Sequence, residues 1–201
     1  MRHVLAIALA ILALVAPLAA HADPPSLLTR VGTWVYAAEL RPLDADLDDG
    51  AKIIGAIDAR LAAINGELGP LAARSRALGG EIGAARKVLA ELRTQRAGRT
   101  GDNDDRARAL DSKIEALSAR LADLEKQRDA VHDQMGRLSQ EATSLMDGAI
   151  RIGDSAASIA EEPKADATKK RKATALAMRA QQIHQARLAF IRTLRGATPA
   201  D

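Results

Sequence analysis

An unbroken heptad pattern over two long stretches of the chain is the feature that most limits its possible folds. Between Leu47 and Arg96, and again between Ala107 and Ile152, apolar residues return at alternating spacings of three and four. A repeat of this kind, sustained over so many heptads, is typical of a coiled coil. Each stretch is therefore predicted to be a helix extending roughly 70–75 Å at about 1.5 Å per residue.

The connection between the two stretches predicts their relative direction. Residues 97–104 contain two glycines and a run of Asp and Asn, which suit the end of one helix and the N-cap of the next. So short a connection makes the helices antiparallel neighbours. The predicted fold is all-α: a long antiparallel coiled-coil helical hairpin over residues 44–153, with its tip at about 97–104 and with short N-terminal and basic C-terminal helices at its base.

One register satisfies both helices and the connection together. In this register the numbers of facing a and d residues add up to 199, which predicts that Ile82 packs on Leu117 and Leu61 packs on Leu138. The apolar residues of the predicted seam are Ile54, Ile57, Leu61, Ile64, Leu68, Leu71, Leu78, Ile82, Leu89, Leu92, Leu110, Ile114, Leu117, Leu121, Leu124, Val131, Met135, Leu138 and Leu145.

Charged residues beside the seam agree with this register, because they place opposite charges together. The predicted pairs are Arg60 with Glu141, Glu81 with Arg120, and Arg86 with Asp111. Each exposed pair contributes only about 0.2–1 kcal/mol, so the pairs select register more than they stabilise the fold.

Two polar residues occupy seam positions, and Gly69 with Pro70 interrupts the first helix. Ser75 and Arg128 occupy a positions, where a polar side chain specifies register or, for arginine, snorkels to the edge of the seam. Pro70 follows Gly69 within the first helix. Since the heptad phase continues across both residues, we expect one kinked helix rather than two.

The first residues resemble a secretory signal. A basic start at Arg2, an apolar run from Val4 to about Ala20 and a small-residue site ending at Ala22 predict a signal peptide over residues 1–22. The alternative is an uncleaved signal anchor, which Pro17 and the cleavage site disfavour. The chain has no cysteine, which excludes disulfides and favours a bacterial periplasm as the destination.

Two shorter elements flank the hairpin. The spacing of apolar residues within 23–43 predicts an amphipathic helix with Ser26 as its N-cap. Its apolar face is formed by Leu27, Leu28, Val31, Trp34, Val35 and Ala38. Residues 154–168 are predicted to be a linker, and residues 169–201 a basic helix and tail. Because neither short helix can bury its apolar side alone, we expect both to pack together beside the open end of the hairpin.

Residues 163–201 hold nine basic and two acidic residues, a net charge of +7. A basic amphipathic helix can bind an anionic surface or an acidic partner. Alternatively, it folds back onto the acidic run between Asp44 and Asp49. The candidate partner-binding residues are Lys169, Lys170, Arg171, Lys172, Arg179, Arg187, Arg192 and Arg195.

The outward face of the first long helix is made of small residues, which would permit close approach by another helix. These are Gly55, Ala59, Ala62, Ala63, Gly66, Ala73, Ala77, Gly80, Gly83 and Ala84. Self-association through this face is one interpretation, and a generally alanine-rich composition is the other.

No catalytic pattern emerges from the sequence. His132 and His184 have no nucleophile, base and orienting acid around them, and no metal-ligand spacing occurs. The carboxylates between Asp44 and Asp49 lack the alternating ligands of a calcium loop. We therefore expect no enzyme activity, cofactor or metal. Aromatic residues make up 1% of the chain, so nucleic-acid binding is not expected either.

Three functions fit these features. The first is a structural or adaptor protein of the bacterial envelope that binds a protein partner. The second is an ATP-independent holdase, since a signal peptide, a basic balance and long helical arms resemble the Skp-type periplasmic chaperones in architecture. The third is a binder of anionic envelope surfaces, such as lipid head groups or cell wall, through the basic C-terminal helix.

Overall fold

The computed structural model describes residues 25–98 and 105–197, and of residues 186–197 it describes the backbone alone. It contains four helices: α1 (Leu27–Leu40), α2 (Leu47–Ala97), α3 (Asp105–Glu161) and α4 (Ala167–Ala197). The described residues form no strand, which confirms the all-helical prediction. The predicted signal peptide, residues 1–22, and residues 99–104 of the predicted tip lie outside the described residues.

Side-chain caps start the first two helices. The hydroxyl of Ser26 accepts the N–H of Thr29 at 3.2 Å, which confirms the predicted cap of α1. The carboxylate of Asp46 accepts the N–H groups of Asp48 and Asp49, both at 3.0 Å, and so caps α2. These hydrogen bonds hold the pKa of the Asp46 carboxyl below its usual value, and the one from Asp49 has the larger effect.

The long helices α2 and α3 pack side by side as a hairpin. Contacts between them join rising residue numbers in α2 to falling numbers in α3: Arg60–Glu141, Ser75–His132, Arg86–Glu125 and Arg96–Asp111. Helix α2 runs continuously through Gly69 and Pro70, as the continuous heptad phase predicts. None of the residues predicted for the seam is exposed.

The predicted charge pairs are correct in part. Arg60 donates from Nε and Nη2 to the two carboxylate oxygens of Glu141, at 2.7 and 2.8 Å, and this hydrogen bonding lowers the pKa of Glu141. Arg120 lies 3.9 Å from Glu81. The prediction for Arg86 is wrong.

The actual partners of Arg86 and of Asp111 show how the pairing departs from prediction. Arg86 donates to Glu125 at 2.7 Å, and Asp111 accepts from Arg96 at 2.8 Å. The predicted contact of Ile82 with Leu117 is also wrong, because Ile82 clusters with Leu124 and Val131, and Leu117 is not among the side chains packed there. The pairing is thus displaced by about one heptad between Ser75 and the tip. The numbers of Ser75 and His132 and of Arg96 and Asp111 add up to 207, and those of Ile82 and Leu124 to 206, rather than to the predicted 199.

The prediction of a linker over residues 154–168 is wrong for its first half. Helix α3 continues to Glu161, and only residues 162–166 are non-helical between α3 and α4. The extension has a buried face that includes Ser155, Ala156 and Ile159. Most side chains in this segment are small, so its sequence shows little apolar periodicity. The contact with α4, which the sequence does not reveal, accompanies the helical conformation.

Helices α1 and α4 both pack against the hairpin at its open end. Within the described residues, the backbones of α1 and α4 do not approach each other within 8 Å at any Cα pair. The expectation that these two helices pack directly on each other is therefore wrong for their backbones. Both contact α2 and α3 at the open end of the hairpin, as expected. We call residues 25–68 and 138–185 the base, and residues 69–98 and 105–137 the arm, since the main core cluster ends at Leu68 and Leu138.

Candidate functional site

Gly50 is where side chains of α1 and α4 converge on the hairpin. A methyl group at this glycine would lie 2.7 Å from Cζ2 of Trp34 and 2.9 Å from Cδ2 of Leu176. The indole Nε1 of Trp34 donates to the carbonyl of Asp46 at 2.7 Å. The glycine thus permits the close approach that builds one core from all four helices.

Two lysines of the basic run fold back onto the start of α2. The amino group of Lys169 donates to the backbone carbonyls of Leu43 and Ala45, and that of Lys172 contacts Asp48 at 2.7 Å. This hydrogen bond and the negative charge of Asp48 raise the pKa of Lys172. These contacts favour the interpretation in which the basic helix binds the acidic run of the same chain.

The other candidate basic residues are not brought together. Arg171 is exposed and its Nε donates to the carbonyl of Ala167 one turn earlier, at 3.2 Å. Lys170 is half-buried, and Arg179 lies over Gly55 on α2. The side chains of Arg187, Arg192, Arg195 and of Phe190 lie outside the described residues.

The small-residue face of α2 is open along most of its length. At Gly66, Gly80 and Gly83 an added methyl group would meet nothing within 4 Å. At Gly55 the nearest atom is Nη2 of Arg179, at 3.9 Å. Helix α4 thus lies beside the part of this face nearest the start of α2, and self-association through the rest stays a prediction.

An exposed apolar face of α1 is the main feature that the sequence interpretation missed. Of the six large hydrophobic residues that are exposed within the described chain, four lie on α1 or the turn after it. Tyr36 is 67% exposed, Leu40 59%, Leu28 43% and Leu43 40%. Assigning Leu28 to the buried face was wrong. The buried residues of α1 are Val31, Trp34, Val35 and Ala38, and Leu28, in the first turn, lies at the edge of the side that they form.

The spacing of this face could have revealed it. Leu28, Gly32, Tyr36 and Leu40 recur at intervals of four, so they form one stripe that winds slowly around the helix. Helix α1 therefore has two apolar sides, of which the base covers one. We call Leu28, Gly32, Tyr36 and Leu40 the α1 stripe.

A groove of about 660 Å³ runs beside the α1 stripe. Tyr36 and Leu40 form part of one wall, and Asp44 and Asp46 form part of the other. Arg30 also lines the groove and lies 3.6 Å from the carboxylate of Asp49. The groove and the stripe make a continuous surface with an apolar side and a charged rim, which suits binding of another polypeptide.

A polar layer crosses the arm at Ser75. The buried hydroxyl of Ser75 lies 2.8 Å from Nε2 of His132. Arg128 sends its Nη2 towards Asp129, at 3.4 Å, while its Nε is buried without a hydrogen-bond partner. The arginine therefore reaches the edge of the seam, as predicted, and leaves a buried donor behind it.

The layer does not have the geometry of a nucleophilic site. His132 is exposed, and no carboxylate is hydrogen-bonded to its second ring nitrogen among the described residues. Across residues 25–98 and 105–197, no group of three His, Cys, Asp or Glu side chains is placed to hold a metal ion. Nor does any helix in these ranges have the length and apolar character needed to cross a membrane.

Comparison with protein-family models, with curated proteins and with solved structures finds no match to this chain.

Proposed function

We propose that this chain is an exported adaptor of the bacterial cell envelope. In this proposal α2 and α3 form an antiparallel coiled coil whose arm projects from the four-helix base. The base holds a protein partner at the α1 stripe. The observation that carries the proposal is the concentration of exposed large apolar side chains on α1 and its following turn.

The charge of the α1 stripe indicates the chemistry of its partner. Within α1 the charged residues are Arg30 and Glu39, and Arg30 lies 3.6 Å from Asp49. The lining of the adjacent groove has two basic and three acidic residues, so this surface does not favour phosphate groups or anionic lipid. It suits the apolar side of a partner helix, which would lie along α1 and insert its own side chains around Gly32.

The dimensions of the stripe agree with a helix as the partner. Helix α1 has 14 residues, so it is about 21 Å long, equivalent to roughly four helical turns. At Gly32 an added methyl group would meet nothing within 4 Å, which leaves a gap between Leu28 and Tyr36. A partner side chain can enter that gap, as ridges enter grooves between packed helices.

Photo-crosslinking in cells of the native host tests the adaptor function. A photoreactive amino acid replaces Tyr36 in one variant and Val88 in another, because Val88 is the exposed large apolar residue of the arm. We expect one defined crosslinked protein from position 36 and none from position 88. Substitution Leu40→Asp in the same chain should abolish the crosslink while the circular dichroism spectrum stays helical.

The result also separates the adaptor from the alternatives. A holdase would give many crosslinked clients at both positions. A binder of anionic surfaces would sediment with anionic vesicles in a salt-dependent way, whether or not Leu40 is replaced. Either result would overturn the adaptor proposal.

Export is tested separately by mass spectrometry of the protein isolated from its host. We expect a mature N-terminus at Asp23 and recovery in the periplasmic fraction. Retention of residues 1–22 in the membrane fraction would identify a signal-anchored protein instead.

A further inference from the structure

A second groove lies between α3 and α4, on a part of the base that the proposed adaptor function does not use. Its volume is about 620 Å³. Small residues form its floor: Gly153, Ala157 and Ala160 on α3, and Ala177 and Ala180 on α4. An added methyl group at Gly153 would lie only 2.9 Å from Cβ of Ala180, so the two helices are already in close contact beneath the groove.

The rim of this groove combines apolar and acidic groups. Met178 is 59% exposed at the α4 side, and its flexible thioether can adapt to a docked surface. Asp154 and Glu161 stand on the α3 side, and no Lys or Arg lines the groove among the residues whose side chains the structure describes. Neither carboxylate forms an ion pair with any residue that the structure describes.

The spacing of the two carboxylates restricts what can bind. Asp154 and Glu161 are seven residues apart on one helix, so they are separated by about 10.5 Å along α3. A helix docked alongside α3 presents the same spacing with two basic residues seven apart. Its apolar side would then cover the alanine floor and Met178, as in other helix-in-groove complexes.

We propose that the α3–α4 groove binds a basic amphipathic helix of a partner protein. Lysine or arginine side chains of that helix pair with Asp154 and Glu161, and its leucine-sized side chains fill the groove above Ala157 and Ala177. The charge complementarity sets the orientation of the helix and the apolar floor supplies most of the contact area.

The probe for this proposal is a 14-residue helical peptide with leucines on one side and lysines on the other. Its matched control carries glutamate at each lysine position. Both are labelled with a fluorophore and titrated with the mature chain in 150 mM salt, where charges are screened beyond about 8 Å. We expect the fluorescence anisotropy of the lysine peptide to rise on binding and that of the glutamate peptide to stay constant.

Two pairs of substitutions distinguish peptide binding in the groove from non-specific electrostatic attraction to the protein. Asp154→Asn with Glu161→Gln removes the rim carboxylates, and Glu115→Gln with Asp133→Asn removes two exposed carboxylates from the arm. We expect the first pair to weaken binding of the lysine peptide about fivefold to tenfold, and the second to change it less than twofold. Ala157→Trp, at an exposed position of the groove, should abolish binding because the indole occupies the site.

Three outcomes would overturn the proposal. The first is equal weakening by both pairs of substitutions, which would indicate non-specific attraction. The second is no binding of the lysine peptide by a helical, monomeric wild-type chain. The third is self-association of the wild-type chain that Ala157→Trp removes, which would make a second copy of this chain the occupant of the groove.

Discussion

The base and the arm are built on the same two helices, yet they bury their seams to different extents. All the largest fully buried side chains lie in the base: Val35, Ile53, Ile54, Ile57, Ile64, Leu145, Ile152 and Ile159. In the arm, Leu110, Ile114, Leu117 and Leu121 occupy seam positions and remain half-buried. The heptad pattern is equally regular in both regions, so pattern alone does not determine burial.

The number of neighbouring helices explains this difference. A two-helix seam is one side chain deep and open along both edges, so solvent reaches part of some apolar residues, such as Leu110 and Leu117. In the base, α1 and α4 close those edges. Since the hydrophobic contribution follows the apolar area removed from water, at about 25 cal/mol per Å², the base contributes more stability per residue than the arm.

The sharpest test of this comparison is one substitution made in both regions. Leu145→Ala removes a leucine that is 2% exposed in the base, and we expect it to cost about 3–5 kcal/mol of unfolding free energy because the surrounding core cannot collapse around the cavity. Leu117→Ala removes a half-buried leucine from the arm and should cost about 1–2 kcal/mol. Urea unfolding followed by circular dichroism measures both.

Equal costs for the two leucines would contradict the distinction between base and arm. A lower slope of the unfolding free energy against urea in Leu117→Ala, with the midpoint unchanged, would instead show that the arm unfolds separately from the base.

Close packing in the base is tested by two glycines of α2. Gly50→Ala forces a methyl group against Trp34 and Leu176, and we expect a loss of about 1–3 kcal/mol together with a changed emission of Trp34. Gly66→Ala on the same helix meets open space and should stabilise the chain by about 0.5–1 kcal/mol through helix propensity. Destabilisation at both positions would show that the convergence at Gly50 has no special role.

The polar layer of the arm is tested by Arg128→Leu. This change removes the buried Nε that has no partner and adds an apolar side chain to the seam. We expect the midpoint of thermal unfolding to rise by a few degrees, corresponding to about 1 kcal/mol. If the arginine also specifies register, its loss allows alternative pairings of α2 and α3. Amides near Ser75 should then exchange hydrogen with more than one rate. A lower midpoint would mean that the Arg128 side chain stabilises the arm despite its buried donor.

The smallest expected effect concerns the contact between α4 and the start of α2. Because Asp48 raises the pKa of Lys172 above its ordinary value of 10.5, the contact contributes stability that is fully present below pH 10.5. That stability is lost as the pH rises through the raised pKa. Lys172→Met should remove this alkaline dependence, which chemical unfolding between pH 8 and 12 measures. An unchanged pH profile would show that the exposed contact contributes nothing to stability.

Much of the secondary structure could be predicted from the sequence because local rules agree with one another there. Ser26 caps α1 as its residue type and position predict, and the heptad phase correctly carries α2 through Pro70. Charge placement identified the contact of Arg60 with Glu141. In each case the signal lies in residues a few positions apart or in a repeat long enough to average out exceptions.

The errors arise where partners outside the local window decide the outcome. Residues 154–161 look like a linker in sequence, and they are helical against α4 because small side chains allow close packing. The pairing in the arm is displaced by about one heptad. Heptad positions do not exclude that displacement, because a shift of seven residues again sets a positions against d positions.

The candidate site divides in the same way. The sequence by itself determined the four helices, the basic run and the acidic run, because those features follow from residue type and spacing. Only the tertiary structure decided that Lys169 and Lys172 contact the same chain, and that α1 buries Trp34 while leaving Tyr36 and Leu40 exposed. The physical reason is that a helix with two apolar sides does not specify which of them a neighbour will cover.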